Sequence, residues 1–242
     1  DMTKSRSFRE KDISFGKIYP QDLKRIEAIN KGAYKYQDIK SYDYQGLIKL
    51  LSNNSNSRYN EHNKVDVIYD GISHKDDLIA ELKKAKKSIY MQAYIIKSGD
   101  FFDEIKEVLI EKAQAGLDVK VLVDGMGGRN LSRRDRKELK ENGVKLGIFF
   151  PAILGHLNIR MNFRNHRKVI VIDSKVGYVG GFNIGDEYID RSKRFGKWRD
   201  THLKVQGEAV NDLTNRFYLD YKFATGDDCG CYQSYIYNGE ED

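Results

Sequence analysis

Two short stretches constrain the folding of this chain more than its composition does: Asn165-His166-Arg167-Lys168-Val169-Ile170-Val171-Ile172-Asp173 and, soon after, Gly180-Gly181-Phe182-Asn183. The run from Arg167 to Ile172 has strong strand character. In a strand, residues two apart point the same way, so His166 and Lys168 should project together. Asp173 lies an odd number of positions from His166 and roughly 20 Å along a straight strand, so it should not reach the same ligand. Asp173-Ser174-Lys175 reads as a turn, a setting in which an Asp side chain bonds nearby backbone, and Val176 to Gly181 as the returning strand. A two-residue loop of Ser174 and Lys175 would set Asp173 opposite Val176, Lys168 opposite Gly181 and His166 opposite Asn183. A three-residue turn would shift that register. Gly181 would then leave room for an anion beside Lys168, and Asn183 could bond either the imidazole or an anionic oxygen.

The pattern H-x-K-x(4)-D followed by G-G-x-N resembles the signature of the phospholipase D superfamily, and more narrowly the first half of bacterial cardiolipin synthases. The narrower resemblance rests on Asn165 to Lys168, Gly180 to Tyr188 and Trp198 to His202, and upstream on Leu50 to Ser57, Tyr69-Asp70-Gly71 and Asp124 to Gly127. It implies an α/β fold with a mixed β-sheet flanked by helices, forming one catalytic half. It also implies catalytic roles for His166, Lys168 and Asp173, substrate binding by Gly180, Gly181 and Asn183, and support from Asp186, Asp200 and His202. Such enzymes carry two H-x-K-x(4)-D motifs in one chain and usually begin with membrane-spanning helices; this chain shows one motif and no such helix. The second half is expected from a missing C-terminal segment or from another copy of the chain.

The chemistry can be argued from what a phosphodiester needs. It is anionic, so a site must neutralise its oxygens and supply a nucleophile that can also leave. Lys168 and Asn183 would serve the first need. Neutral His166 would serve the second, through a covalent phosphohistidine. A second histidine would protonate the departing alkoxide and later activate the acceptor. No cofactor and no metal are called for, because no carboxylate or Cys/His cluster with ligand spacing accompanies the motif. The resemblance implies phosphatidylglycerol as donor and acceptor, giving cardiolipin and glycerol, at the cytoplasmic face of a bacterial membrane. Two other readings stand beside it: a homodimeric phospholipase D-type nuclease or phosphodiesterase, and a non-catalytic module that binds anionic lipid.

Charge fits an anionic partner. The 242 residues carry net +6, but the last sixteen hold five acids and no Lys or Arg, which leaves +11 on residues 1–226. A body this basic favours an anionic lipid surface or nucleic acid, the latter less in keeping with the motifs. The chain reads as a basic connector (1–62), a phospholipase D-like domain (63–226) and an acidic tail (227–242). Its longest apolar run, Leu146 to Leu154, is too short for a bilayer, which needs about 20 residues. No secretory signal opens it, and a start at Asp1 reads as a piece of something longer. Cys229 and Cys231 read as a reduced pair in the tail, which favours the cytoplasm.

A coarse pass places helices at Gln21 to Asn30, Tyr42 to Leu51, Asp76 to Lys86, Phe101 to Ala115, Ser132 to Asn142 and Glu208 to Phe223. Strands are placed at Val65 to Tyr69, Ser88 to Ile96, Val119 to Val123, Val144 to Phe149 and His202 to Val205, and a loop at Ser52 to Ser57. Gly125 to Gly128, with Arg129, Arg133 and Arg134 nearby, reads as a loop ahead of a solvated helix rather than a phosphate cradle. Ile148 to Leu154 reads equally as a lipid-dipping segment or as strand plus loop. His62, His74 and His156 have no motif around them and read as surface or loop residues.

Overall fold

The computed structural model describes residues 20–55, 59–150 and 164–227. Cys229, Cys231, His156, Pro151 to Leu154 and all of the acidic tail but Asp227 lie outside them. The chain divides into two compact units, Asp1–His62 and Asn63–Asp242. Among the described residues no helix is long and apolar enough to cross a membrane.

The first unit contains helix α1 (Pro20–Asn30), a 3₁₀ turn (Ile39–Tyr44) and helix α2 (Gln45–Ser55). Asp38 caps the 3₁₀ turn by accepting from Lys40 N, so the expected helix over Tyr42 to Leu51 starts later and runs on into the segment read as loop. Ser and Asn are only moderately poor helix formers, and no Pro or Gly interrupts Leu50 to Ser55. Tyr34, Tyr36, Tyr42 and Tyr59 pack edge to face, and Arg25 ties α1 to the Tyr59 carbonyl.

The second unit is a seven-stranded sheet in the order β1-β7-β6-β5-β2-β3-β4. Its strands are β1 (Asn63–Asp70), β2 (Ser88–Ala93), β3 (Asp118–Asp124), β4 (Lys145–Phe149), β5 (Val169–Ile172), β6 (Val176–Gly180) and β7 (Arg199–Gly207). β2, β3 and β4 run parallel, linked by helical crossovers; β5, β6, β7 and β1 are antiparallel. The mixed character follows from connection length, since parallel neighbours need a crossover and the short β5–β6 turn permits only a hairpin.

Period-two alternation gives the sheet two buried faces. Ile89, Met91, Ile170 and Ile172 face helices α3 (Gly71–Lys84) and α4 (Asp100–Gln114) in one apolar core with Leu78, Leu82, Phe101 and Ile105. On the other face Tyr90 packs on Phe217 and Tyr218 of helix α6 (Ala209–Thr225). Helix α5 (Arg133–Glu141) starts on Ser132, whose hydroxyl accepts from Asp135 N as an N-cap. Helix α3 begins at Gly71, five residues before its expected start, because Asp70 caps it through Ser73 N. Gly71 is required there: a Cβ would lie 1.5 Å from the Tyr188 carbonyl oxygen.

The β5–β6 hairpin differs from the two-residue loop expected. Ile172 pairs with Val176, so Asp173, Ser174 and Lys175 all lie in the loop. Asp173 and Ser174 both have φ +54°, and Lys175 N–H donates to the Ile172 carbonyl at 3.0 Å. Val169 stands opposite Val179, one register step from the pairing that would have set Lys168 opposite Gly181.

Candidate active site

The H-x-K segment precedes its strand rather than lying within it. β5 starts at Val169, and residues 164–168 belong to no ladder. His166 and Lys168 still share a side: Lys168 Nζ lies 2.9 Å from His166 Nδ1 and donates to the His166 carbonyl at 2.9 Å. The alternate side chains, Asn165 and Arg167, turn the other way onto one carboxylate. Asp220 of α6, fully buried, accepts from Asn165 Nδ2 at 2.9 Å, Arg167 at 3.2 Å, Arg216 at 2.6 Å and Gln92 Nε2 at 2.8 Å. Four donors, two of them guanidinium groups, make a carboxylate tolerable in that interior.

A second buried carboxylate holds the segment from β3. Asp124 accepts from Asn165 N at 3.2 Å with one oxygen, and from Met126 N and Gly127 N with the other. Arg164 lies 3.6 Å away. The Gly125 to Gly128 turn is thus organised by Asp124. Its glycines serve close packing: a Cβ on Gly127 would meet the Tyr94 carbonyl oxygen at 2.0 Å, and one on Gly128 would meet Val123 at 2.3 Å. Tyr94 covers the site, its ring 4.5 Å from the His166 ring and 5.6 Å from Lys168 Nζ.

Burial sets the charge states. It lowers the His166 pKa, the Lys168 charge lowers it further, and Asp124 opposes both. His166 is therefore a neutral imidazole at pH 7. Burial also lowers Lys168 to about 8, with Asp200 the opposing influence, so it remains mostly an ammonium at neutral pH.

Gly180 and Gly181 are filled in rather than open. A Cβ on Gly181 would lie 1.8 Å from Asp200 Oδ1, and one on Gly180 2.5 Å from both His202 Cα and the Thr201 carbonyl oxygen. The space expected for an anion beside Gly181 holds the Asp200 carboxylate instead. Asn183 is likewise committed: Oδ1 accepts from Ile95 N at 2.9 Å and Nδ2 donates to the Tyr188 hydroxyl at 2.9 Å. Asp186 sits at the start of α4, accepting from Asp100 N and Phe101 N. Asp173 is brought to different partners altogether. Its carboxylate accepts from Lys86 N, Lys87 N and Ser88 N at 2.7–2.8 Å and fastens the hairpin to the beginning of β2.

Behind Gly180 lies a pair of buried histidines. His202 Nδ1 accepts from Phe182 N at 3.3 Å, which leaves its proton on Nε2. His74 stacks on Phe182, and its ring is 4.3 Å from that of His202. His74 was expected at the surface but is 1% exposed, because α3 turns it inward between Tyr178 and His202. Among the described residues, neither His74 nitrogen nor His202 Nε2 has a hydrogen-bond partner. Burial pushes His74 down to about 4 against Asp77 and Asp70. It pushes His202 down to about 2, with His74 and Lys168 adding to the effect.

Sequence reasoning gave no site role to Tyr94, Asp124, Asp220 or His74. One signal existed for Asp220, an acid three residues after Phe217 and next to Tyr221 on the aromatic face of α6. Among the described residues no group of three or more His, Cys, Asp or Glu side chains could hold a metal ion.

This arrangement places a neutral imidazole beside a buried ammonium just ahead of β5 in an α/β sheet. Residues 78–197 match the family described as cardiolipin synthase, phospholipase D-like domain. A cardiolipin synthase of Clostridium perfringens strain 13 is 40% identical over 230 residues, covering 94% of this chain and 46% of that protein. The major cardiolipin synthase ClsA of Bacillus subtilis strain 168 is 40% identical over 201 residues, covering 83% and 42%. NucT from Helicobacter pylori shares the fold at TM-score 0.51 and 18% identity, covering 67% of this chain and 98% of NucT. The chain belongs to the phospholipase D superfamily and carries a domain of the cardiolipin synthase type. It spans about half the length of the curated relatives it matches.

Proposed function

We propose that this chain is one catalytic half of a cardiolipin synthase, transferring a phosphatidyl group between two phosphatidylglycerol molecules. The observation that carries the reading is the neutral His166 imidazole held against Lys168 in a segment fixed by two buried carboxylates. A His166 ring nitrogen attacks the phosphorus of the first lipid, and the P–O bond to the terminal glycerol breaks. The departing alkoxide takes a proton from a general acid, leaving a phosphatidyl-histidine. The terminal hydroxyl of the second lipid then attacks, gives its proton to the same group and displaces His166, releasing cardiolipin. Lys168 neutralises the phosphoryl oxygens throughout.

The general acid must come from elsewhere. His202 and His74 are held neutral and buried behind Gly180, and no other described histidine touches His166. A second H-x-K half, or a second copy of this chain, would supply it.

The test is covalent trapping. The chain is incubated with phosphatidylglycerol vesicles, quenched in base and mapped by mass spectrometry. An acid-labile adduct on His166, absent in His166→Ala, is expected, with cardiolipin formed only when a second half is supplied. An adduct on another residue, or full turnover by a species shown to be monomeric, overturns the reading. Concentration-dependent cleavage of DNA with no adduct from lipid would favour a dimeric nuclease.

A further inference from the structure

We propose that the loop from Asp190 to Trp198 is a docking element that seats this site on an anionic bilayer surface. The inference rests on the phospholipid reading above and adds which face of the protein meets the lipid. The loop, Asp-Arg-Ser-Lys-Arg-Phe-Gly-Lys-Trp, joins the 3₁₀ turn Asp186–Ile189 to β7. Its neck is closed, since Trp198 N–H donates to Asp190 Oδ1 at 2.7 Å. Its tip is folded on itself: Gly196 N–H donates to the Ser192 carbonyl at 2.9 Å, with Gly196 at φ +62°. The loop therefore presents its side chains outward in a set arrangement, which limits the ordering entropy that docking would otherwise cost.

Those side chains combine cations with an exposed aromatic. Phe195, at the tip, is 51% exposed. Arg191, Lys193, Arg194 and Lys197 surround it, all exposed. Arg191 is paired with Asp100 at 2.7 Å. Lys193, Arg194 and Lys197 form no ion pair among the described residues, and Arg194 instead lies over the Phe195 ring at 5.3 Å. The exposed ring is poorly matched to water, and the ring with its cations is well matched to the headgroup layer of an anionic membrane. There each Lys or Arg is attracted to anionic phosphates, and an aromatic ring can leave water for the acyl boundary. The exposed cations of α5 (Arg133, Arg134, Lys137 and Lys140) have no exposed large apolar side chain in their helix.

The loop is also continuous with the site. Phe195 packs edge-on to Trp198 at 5.7 Å, and Trp198 packs on Tyr188 at 4.8 Å. The Tyr188 hydroxyl receives Asn183 Nδ2. Two residues past Trp198, Asp200 lies against Gly181 and acts on Lys168. A lipid surface touching Phe195 would thus meet a run of contacts that leads to Asn183 and, through Asp200, to Lys168.

Trp198 is the only tryptophan in the chain, so its fluorescence reads the docking directly. The 242-residue chain is titrated with vesicles of phosphatidylcholine alone and of phosphatidylcholine mixed with phosphatidylglycerol, with co-sedimentation in parallel. A blue shift and binding with the anionic vesicles only are expected. Lys193→Glu/Arg194→Glu/Lys197→Glu should weaken binding by more than about tenfold, and Phe195→Ser by roughly fivefold. The charge-matched control Arg133→Glu/Arg134→Glu/Lys140→Glu should retain most of it. Equal loss in loop and control variants, or an unchanged Trp198 spectrum on bound vesicles, overturns the proposal. So does loss of binding to a DNA duplex in the loop variant while vesicle binding persists, which would make the loop a nucleic-acid surface. Because no readout requires turnover, failure here is distinguishable from failure of the cardiolipin synthase reading.

Discussion

The two ends of β5 are each fastened by aspartate, with different consequences. At the start, Asp220 and Asp124 hold Asn165 and Arg167, so that His166 and Lys168 are left to face the site. At the far end, Asp173 binds three backbone amides at the beginning of β2 and carries no contact to the imidazole. On the proposed function, the H-x-K-x(4)-D motif therefore spans a chemical end and an architectural end of one short strand. Residues written as one motif need not meet at one site.

The largest expected effect lies at the chemical end. Asp220→Asn removes the carboxylate charge that pairs with Arg167 and Arg216, which should cost about 3 kcal/mol of stability. It should also slow adduct formation at His166 at least tenfold at temperatures where the variant is folded. Thermal unfolding and the rate of phosphoryl-histidine formation are measured together. An undiminished rate would show that the segment needs no anchor there.

Asp173→Ala should cost about 2 kcal/mol, because three backbone N–H groups lose a charged acceptor while water can reach two of them. Adduct formation per folded molecule should be unchanged. If Asp173→Ala slows the chemistry as much as Asp220→Asn does, the division between the two ends fails.

Acid should distinguish the two ends next. His74 and His202 are held below the ordinary imidazole value, so the unfolded chain binds protons that the fold excludes. Their stabilising effect is complete above about pH 6.5. It falls as pH drops below that value, by about 1.4 kcal/mol per pH unit for each histidine, continuing toward about pH 4 for His74. Stability measured between pH 7 and 5 should decline, His74→Phe should decline less steeply, and amide exchange should rise first in β6 and β7. A decline unchanged by His74→Phe would locate the sensitivity elsewhere.

The smallest effect is on the pH profile of adduct formation. The reaction needs neutral His166 and charged Lys168. Its acid limb should therefore fall below pH 6.5, and its alkaline limb near pH 8, as Lys168 loses its proton. Asp173→Ala should leave both limbs where they are. An alkaline limb above pH 10 would mean that Lys168 is not desolvated.

The sequence by itself determined the alternation of strands and helices in the second unit, the start of a helix at Ser132, the turn at Asp173 and the pairing of His166 with Lys168. Those features depend on local periodicity, capping and two-residue spacing, which adjacent residues carry whatever the rest of the chain does. Tertiary structure alone decided that the loop after Ile172 holds three residues, and that Asp173 finds its partners 85 to 87 positions away. It also decided that Asn183 serves the backbone of Ile95, that Asp200 fills the space beside Gly181, and that Asp220 reaches back 55 positions to Asn165. The physical reason is common to all of them. A buried polar group must find a partner, and which partner it finds depends on how distant elements pack, information that no local window of sequence contains.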